Sequence, residues 1–216
     1  MTKIIVLMGA PGAGKGTQAQ LLQEHQGLPQ ISTGDIFRAL AAARTPLAEE
    51  VRAVQAAGKY ISDDLVIRVV EERTNREDCR RGYILDGFPR TPAQAAMLEK
   101  MAVKQGHEIV AILVDVATEV LEKRITGRRV CPVGNEIYNI YFKPPLVEGV
   151  CDVHKNVRLE ERADDTAEKI KIRLSEYERL TSPLIDYYAA SKRLFRVDGR
   201  REPLLIYADI ERIVRG

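Results

Sequence analysis

The chain opens on a continuous apolar run, residues 4–8, long enough for a buried strand and too short for a helix of its own. A glycine-rich turn follows, then a helix-compatible stretch over 18–24 with Gly27 placed as its stop. A short strand near 30–31 leads into Ser32-Thr33-Gly34-Asp35, a cluster rich in N-capping side chains. Helices fit 36–43, 47–57 (Pro46 at the start, Gly58 past the end) and 63–73. Residues 83–86 read as a second central strand that ends in the turn Gly87-Phe88-Pro89-Arg90. Thr91-Pro92 opens a helix to about residue 103, 109–116 is the next buried strand, and Thr118 caps a helix through about 124. A long helical pattern over 164–188, bent at Pro183, a strand over 194–197 and a helix over 203–214 complete the chain. This alternation predicts an α/β fold with a mostly parallel sheet.

Residues 127–163 break the rhythm. They hold Pro132, Pro144 and Pro145, three glycines, two cysteines and short aromatic pieces, and they read as a small inserted lobe with its own turns. There is no internal repeat and no low-complexity tract. At 216 residues the chain is long enough to bury one full core with small lobes added. Its 45% hydrophobic and 30% charged residues describe a soluble globular protein. A net charge of +2 gives no reason to expect a nucleic-acid or membrane partner, so any positive field must be local. No apolar run approaches the roughly 18 residues of a membrane span. Met1-Thr2-Lys3 enters a core strand at once, so no signal or transit peptide is expected. Three cysteines without framework spacing suit a reducing compartment, and a cytoplasmic location is the expectation.

The chemistry begins at the first turn. Gly9, four residues, Gly14 and Lys15 follow the apolar strand and precede a helix, the context in which a glycine loop binds phosphate. Glycines let successive N–H groups point inward around an anion, and the helix N-terminus adds positive dipole. Lys15 supplies a compact cation for the outer phosphates. The usual pattern is broken once, by Gly16, so the hydroxyl comes one residue late at Thr17. Asp86, ending an apolar strand, is placed to hold Mg²⁺ near that loop, although a turn aspartate is also common there. Arg38, Arg90, Arg124, Arg128, Arg162 and Arg173 fall at predicted element ends or on the inserted lobe. Several arginines around one loop suggest more phosphates than one nucleotide carries, but 33 Lys and Arg residues decorate any surface, and spacing alone does not separate the two.

Three motifs, Gly9-Ala10-Pro11-Gly12-Ala13-Gly14-Lys15-Gly16-Thr17, Ile31-Ser32-Thr33-Gly34-Asp35 and Leu85-Asp86-Gly87-Phe88-Pro89-Arg90, together resemble the adenylate kinase family. The similarity runs on through Gly127-Arg128-Arg129-Val130 and Arg162-Ala163-Asp164-Asp165 to Val197-Asp198-Gly199, and so covers essentially the whole chain. The inserted lobe has the length of the long-lid, bacterial-type form.

The resemblance implies a P-loop nucleoside monophosphate kinase fold: a five-stranded parallel sheet flanked by helices. It implies a core of residues 1–31, 62–126 and 166–216, an AMP-binding lobe over 32–61 and a lid over 127–165. Gly12, Ala13, Gly14, Lys15, Gly16 and Thr17 would cradle the ATP phosphates, with Arg128, Ile137, Tyr138 and Arg201 around the rest of that nucleotide. Thr33, Arg38, Lys59, Tyr60, Ile61, Gly87, Phe88, Pro89, Arg90 and Gln94 would hold AMP, aided by Arg162 and Arg173. Lys15, Arg38, Arg90, Arg124, Arg128, Arg162 and Arg173 would neutralise the transferred charge, Asp86 would orient Mg²⁺ through water, and Asp164 and Asp165 would position lid arginines. The implied reaction is reversible transfer from ATP to AMP giving two ADP, by a monomer. It needs no strong base, because the attacking group is already an anionic oxygen. Two closing lobes would exclude water, with Gly34, Gly58 and Gly127 near their borders.

Related lids carry four zinc ligands. Here Cys131, Cys151 and His154 fit three of those positions, but the second is Gly134. A structural zinc normally closes with four ligands, so structural zinc in the lid is not the favoured expectation, and the cysteines equally read as a reduced pair. Two alternatives stay open: a related kinase with another donor or a pyrimidine acceptor, disfavoured by Thr33 and Gln94, and a nucleotide-switched binding protein. The second lacks a guanine-reading Asn-Lys-x-Asp motif.

Overall fold

A computed structural model describes residues 2–44, 46–56, 61–162 and 164–216. Strand β1 (Thr2–Met8) lies at the centre of a five-stranded sheet of order β2-β3-β1-β4-β7, with β2 (Gln30–Ser32), β3 (Gly82–Asp86), β4 (His107–Asp115) and β7 (Leu194–Asp198). Every pairing in it is parallel. Parallel strands buried on both faces read as unbroken apolar runs, which is why residues 4–8 show no alternation. The pleat sends Ile4, Val6 and Met8 into one cluster, with Val66, Leu98 and Tyr188, and Ile5 and Leu7 into the other, with Leu22, Ile206 and Ile210.

The helices are α1 (Lys15–Gln26), α2 (Thr33–Ala42), α3 (Pro46–Ala56), α4 (Asp63–Thr74), α5 (Pro92–Gln105), α6 (Thr118–Thr126), α7 (Ala167–Glu176), α8 (Pro183–Ala190) and α9 (Pro203–Arg215). Sequence boundaries shift in three places for physical reasons. Helix α1 starts at Lys15 rather than 18, because Gly14 in the left-handed region caps it directly. The helix expected over 164–188 is two helices. Residues Tyr177–Thr181 form a π segment closed by Ser182 N–H to Tyr177 O at 2.8 Å, so the register slips just before Pro183, which lacks an N–H. Asp164 and Asp165 precede α7, whose N-cap is Thr166. A short 3₁₀ turn at Glu77–Cys79, unsignalled by periodicity, leads into β3.

The segment after α6 folds around an antiparallel pair, β5 (Arg128–Val130) and β6 (Ile137–Asn139). It has a small interior of its own: Cys131, Tyr138 and Cys151, flanked by Val157 and Leu159. Among the described residues no helix is long and apolar enough to cross a membrane.

Candidate active site

The loop after β1 turns at the C-terminal edge of the sheet, where α/β proteins place their ligands. Gly12 has φ +83°, and a Cβ there would lie 2.6 Å from Ile125 Cγ1, so only glycine fits. The first N–H groups of α1 have no helical acceptor and face a cavity of about 910 Å³ bordered by Gly12, Ala13, Gly14, Lys15, Gly16 and Thr17. Lys15 Nζ donates to the carbonyls of Gly9 (2.7 Å) and Ala10 (3.0 Å), folded back along the loop. Asp86 ends β3 opposite Leu7 and Ser32, and a Cβ on Gly16 would sit 3.5 Å from its Oδ2. A strand-end carboxylate so close to the phosphate-type loop fits the role of orienting a hydrated Mg²⁺.

The opposite wall comes from α6, the β5–β6 segment and α7. Arg124 donates to Ala13 O (3.3 Å) and lies 5.9 Å from the Phe142 ring centroid. Arg128 is held by Asp165 through two hydrogen bonds, one of 2.7 Å from Nε. Arg173 reaches Asp164 Oδ2 (3.0 Å) and Asp165 Oδ1 (3.2 Å). Ile137 borders the cavity, as does Tyr138, whose hydroxyl accepts from Asp152 N–H (3.0 Å) within the same segment. Arg201 borders it as well, its guanidinium paired with Asp209.

A second cavity, of about 700 Å³, is bordered by Thr33, Arg38, Ile61, Gly87, Arg90 and Gln94. Thr33 Oγ1 donates to Gly87 O at 2.9 Å, tying α2 to the turn after β3. Phe88 and Pro89, expected as contacts, are instead buried: Phe88 joins the core, and the two shape the turn rather than border the cavity. Lys59, Tyr60 and Gly58 lie outside the described residues. Arg38, Arg90, Arg162 and Arg173 border both cavities.

Crowded cations depress one another. Desolvation in the loop, with Arg90, Arg173 and Arg128 nearby, lowers the Lys15 ammonium to about 8 against the opposing pull of Asp86. Burial, then Arg128 and Arg38, brings Arg162 down to about 10. Burial likewise lowers Arg173 despite Asp164 and Asp165. Burial works against the carboxylates of Asp35 and Asp164, yet the arginines hold both below the usual range, Arg38 foremost for Asp35 and Arg173 for Asp164. The site carries positive charge that polyphosphate would relieve.

The segment around β5 and β6 holds the residue that spacing did not reveal. Glu136 joins Cys131, Cys151 and His154, with all four candidate ligand atoms within 4.8 Å of one another. His154 Nδ1 lies 3.6 Å from Cys131 Sγ, 3.8 Å from Cys151 Sγ and 3.2 Å from Glu136 Oε2, and Cys151 Sγ lies 3.6 Å from Glu136 Oε2. With ordinary zinc bond lengths, the edges of a tetrahedral site are about 3.3–3.8 Å. The four side chains therefore fit a zinc ion, and the apparent shortage of ligands at Gly134 is made good two residues later. Other site-bordering residues that no motif pointed to are Phe142 and Asn135 in the first cavity and Arg52 in the second.

The family model described as adenylate kinase matches residues 7–193. The chain is 46% identical over 210 residues to the adenylate kinase of Nitrosococcus oceani, covering 97% of each chain. It is 43% identical to that of Clostridium novyi and 41% identical to that of Bacillus subtilis, each over 213 residues and 98% of both chains. With a family match over most of its length and such relatives end to end, the chain belongs to the adenylate kinase family of phosphotransferases.

Proposed function

We propose that the chain transfers the terminal phosphoryl group of ATP to AMP, reversibly, giving two ADP. The observation that carries this reading is the pair of cavities meeting at Arg38, Arg90, Arg162 and Arg173. The loop cavity suits the triphosphate, and the cavity beside Thr33 and Gln94 suits the monophosphate. An oxygen of the AMP phosphate attacks the terminal phosphorus of ATP in line, a new P–O bond forms, and the bond to the bridging oxygen of ADP breaks. The shared arginines and Lys15 neutralise the three equatorial oxygens as charge spreads. Asp165 holds Arg128, a cation of the first cavity, together with the shared Arg173, and so fixes both before substrate arrives. Asp86 would hold hydrated Mg²⁺, which when bound neutralises phosphate charge.

Lobes over 32–61 and 127–165 would close over the two nucleotides and exclude water. Cys131, Glu136, Cys151 and His154 would hold a structural zinc that ties the lid turns together and takes no part in transfer. Three free, buried cysteines support a reducing, cytoplasmic setting, and we read the enzyme as a monomer acting on ATP, AMP and ADP.

A coupled assay of ADP formed from ATP, Mg²⁺ and each of AMP, GMP, CMP and UMP tests the reaction, with Lys15→Met as control. Turnover with AMP, lost in the control, supports it. Slow ATP hydrolysis indifferent to every monophosphate overturns it in favour of a nucleotide-controlled binding protein.

A further inference from the structure

The amide of Gln94 is held in one orientation by groups that cannot exchange roles. Gln94 is 2% exposed and borders the second cavity. Its Oε1 accepts from Arg90 N–H at 2.7 Å, and its Nε2 donates to Asp63 Oδ1 at 2.6 Å. A backbone N–H only donates and an ionised carboxylate only accepts, so the amide cannot turn over without setting oxygen against carboxylate and NH₂ against N–H. Asp63 is itself fixed. Its Oδ2 accepts from Thr91 Oγ1 at 2.9 Å, and Thr91 Oγ1, the N-cap of α5, accepts from Gln94 N–H at 3.2 Å. The loop of four hydrogen bonds links the start of α4 to the start of α5.

Each Gln94 amide group keeps one unused valence: a second N–H on Nε2 and a second lone pair on Oε1. Adenine offers an amino donor beside a ring-nitrogen acceptor and is matched by such a pair. A 6-oxopurine carries an acceptor where adenine has its amino group, and it would need the amide reversed.

We propose that Asp63 is a positioning residue that sets acceptor-base specificity by locking Gln94 in the adenine-reading orientation. This rests on the second cavity being the monophosphate site. Asp63 touches no substrate, and its effect passes through Gln94.

The test compares AMP with inosine monophosphate, by turnover and by calorimetric binding, in the wild type and in Asp63→Asn and Asp63→Ala. Asparagine keeps the shape of Asp63 but offers either a donor or an acceptor, so only the Arg90 N–H still opposes turning of the Gln94 amide. The KM for AMP should rise about tenfold, the magnitude of one hydrogen bond lost, and the AMP-to-inosine preference should fall at least as far. The KM for ATP should stay within twofold of the wild type, about the scatter expected of a distant site. General loosening of the fold would lower both activities without moving the ratio. A wild type that prefers AMP, with the preference unmoved in Asp63→Asn, overturns the role of Asp63 alone. A wild type indifferent to the base overturns the acceptor-site reading beneath it. If Asp63→Ala does not fold, the near-isosteric Asp63→Asn still decides.

Discussion

Gly134 lies hard against Glu136: a Cβ on residue 134 would lie 2.6 Å from Glu136 Oε2 and closer still to Oε1, and 2.3 Å from His154 Cε1 on the other side. A side chain at 134 would therefore displace its neighbours, and among the described residues Glu136 is the one placed to act as a fourth ligand beside Cys131, Cys151 and His154. Glu136→Gln should lower bound zinc from about one per chain, measured by atomic emission, and lower the Tm by several degrees. Gly134→Cys alone should also lower bound zinc, because its Cβ would crowd both Glu136 and His154 where they stand. Metal content unchanged in Glu136→Gln would remove the carboxylate from the ligand set.

Lys15 sits at about 8 in the absence of nucleotide, with desolvation as the main cause. Phosphate oxygens favour the ammonium, so binding of ATP near pH 8 should take up a fraction of a proton. Calorimetry in buffers of different ionisation enthalpy reads this directly, and the uptake should fade below about pH 7, where the ammonium is already formed. Lys15→Met should bind without that uptake.

Asp165 holds Arg128 and Arg173 at once, its side chain only 4% exposed. Asp165→Asn should lower kcat by about tenfold or more, since Arg128 loses the group that fixes it and Arg173 keeps only Asp164, with the KM for AMP changing less. It should also lower the Tm, because the Arg128 guanidinium is left without its counter-charge among other buried cations.

His107 contacts Thr2 Oγ1 at 2.6 Å and meets the Tyr83 ring edge-on, and burial holds its imidazole below the ordinary 6.5. The unfolded chain therefore binds the extra proton first. This contribution to stability is whole above pH 6.5 and is lost as pH falls from there toward the folded-state value. The slope of Tm against pH in that window should flatten in His107→Gln.

Much of the sheet was legible because buried parallel strands announce themselves as short apolar runs: residues 4–8, 83–86 and 109–116 all fall on or within one residue of strands. Helix ends were legible where Thr91 or Gly27 marked them. What escaped depends on backbone registers that no residue type signals. The π segment before Pro183 is one example. Glu136 is another: it reaches Cys151 because the turn over 131–136 closes on itself, with Cys131 N–H to Glu136 O at 3.0 Å, Asn135 N–H to Cys131 O at 2.9 Å, and Asn135 at φ +60°. The spacing of ligands along a chain says nothing of a carboxylate carried back by such a turn. Asp63 was invisible for the same reason, since α4 and α5 meet only in the fold.

The small interior of Cys131, Tyr138 and Cys151 is separate from the two clusters that clothe the sheet. A substitution within it disturbs neither face of the sheet, so this stretch behaves as a cassette. A change at Cys131 or Cys151 can alter how that interior holds together and leave both sheet clusters alone, whereas a change at Tyr138 also reaches the wall of the first cavity.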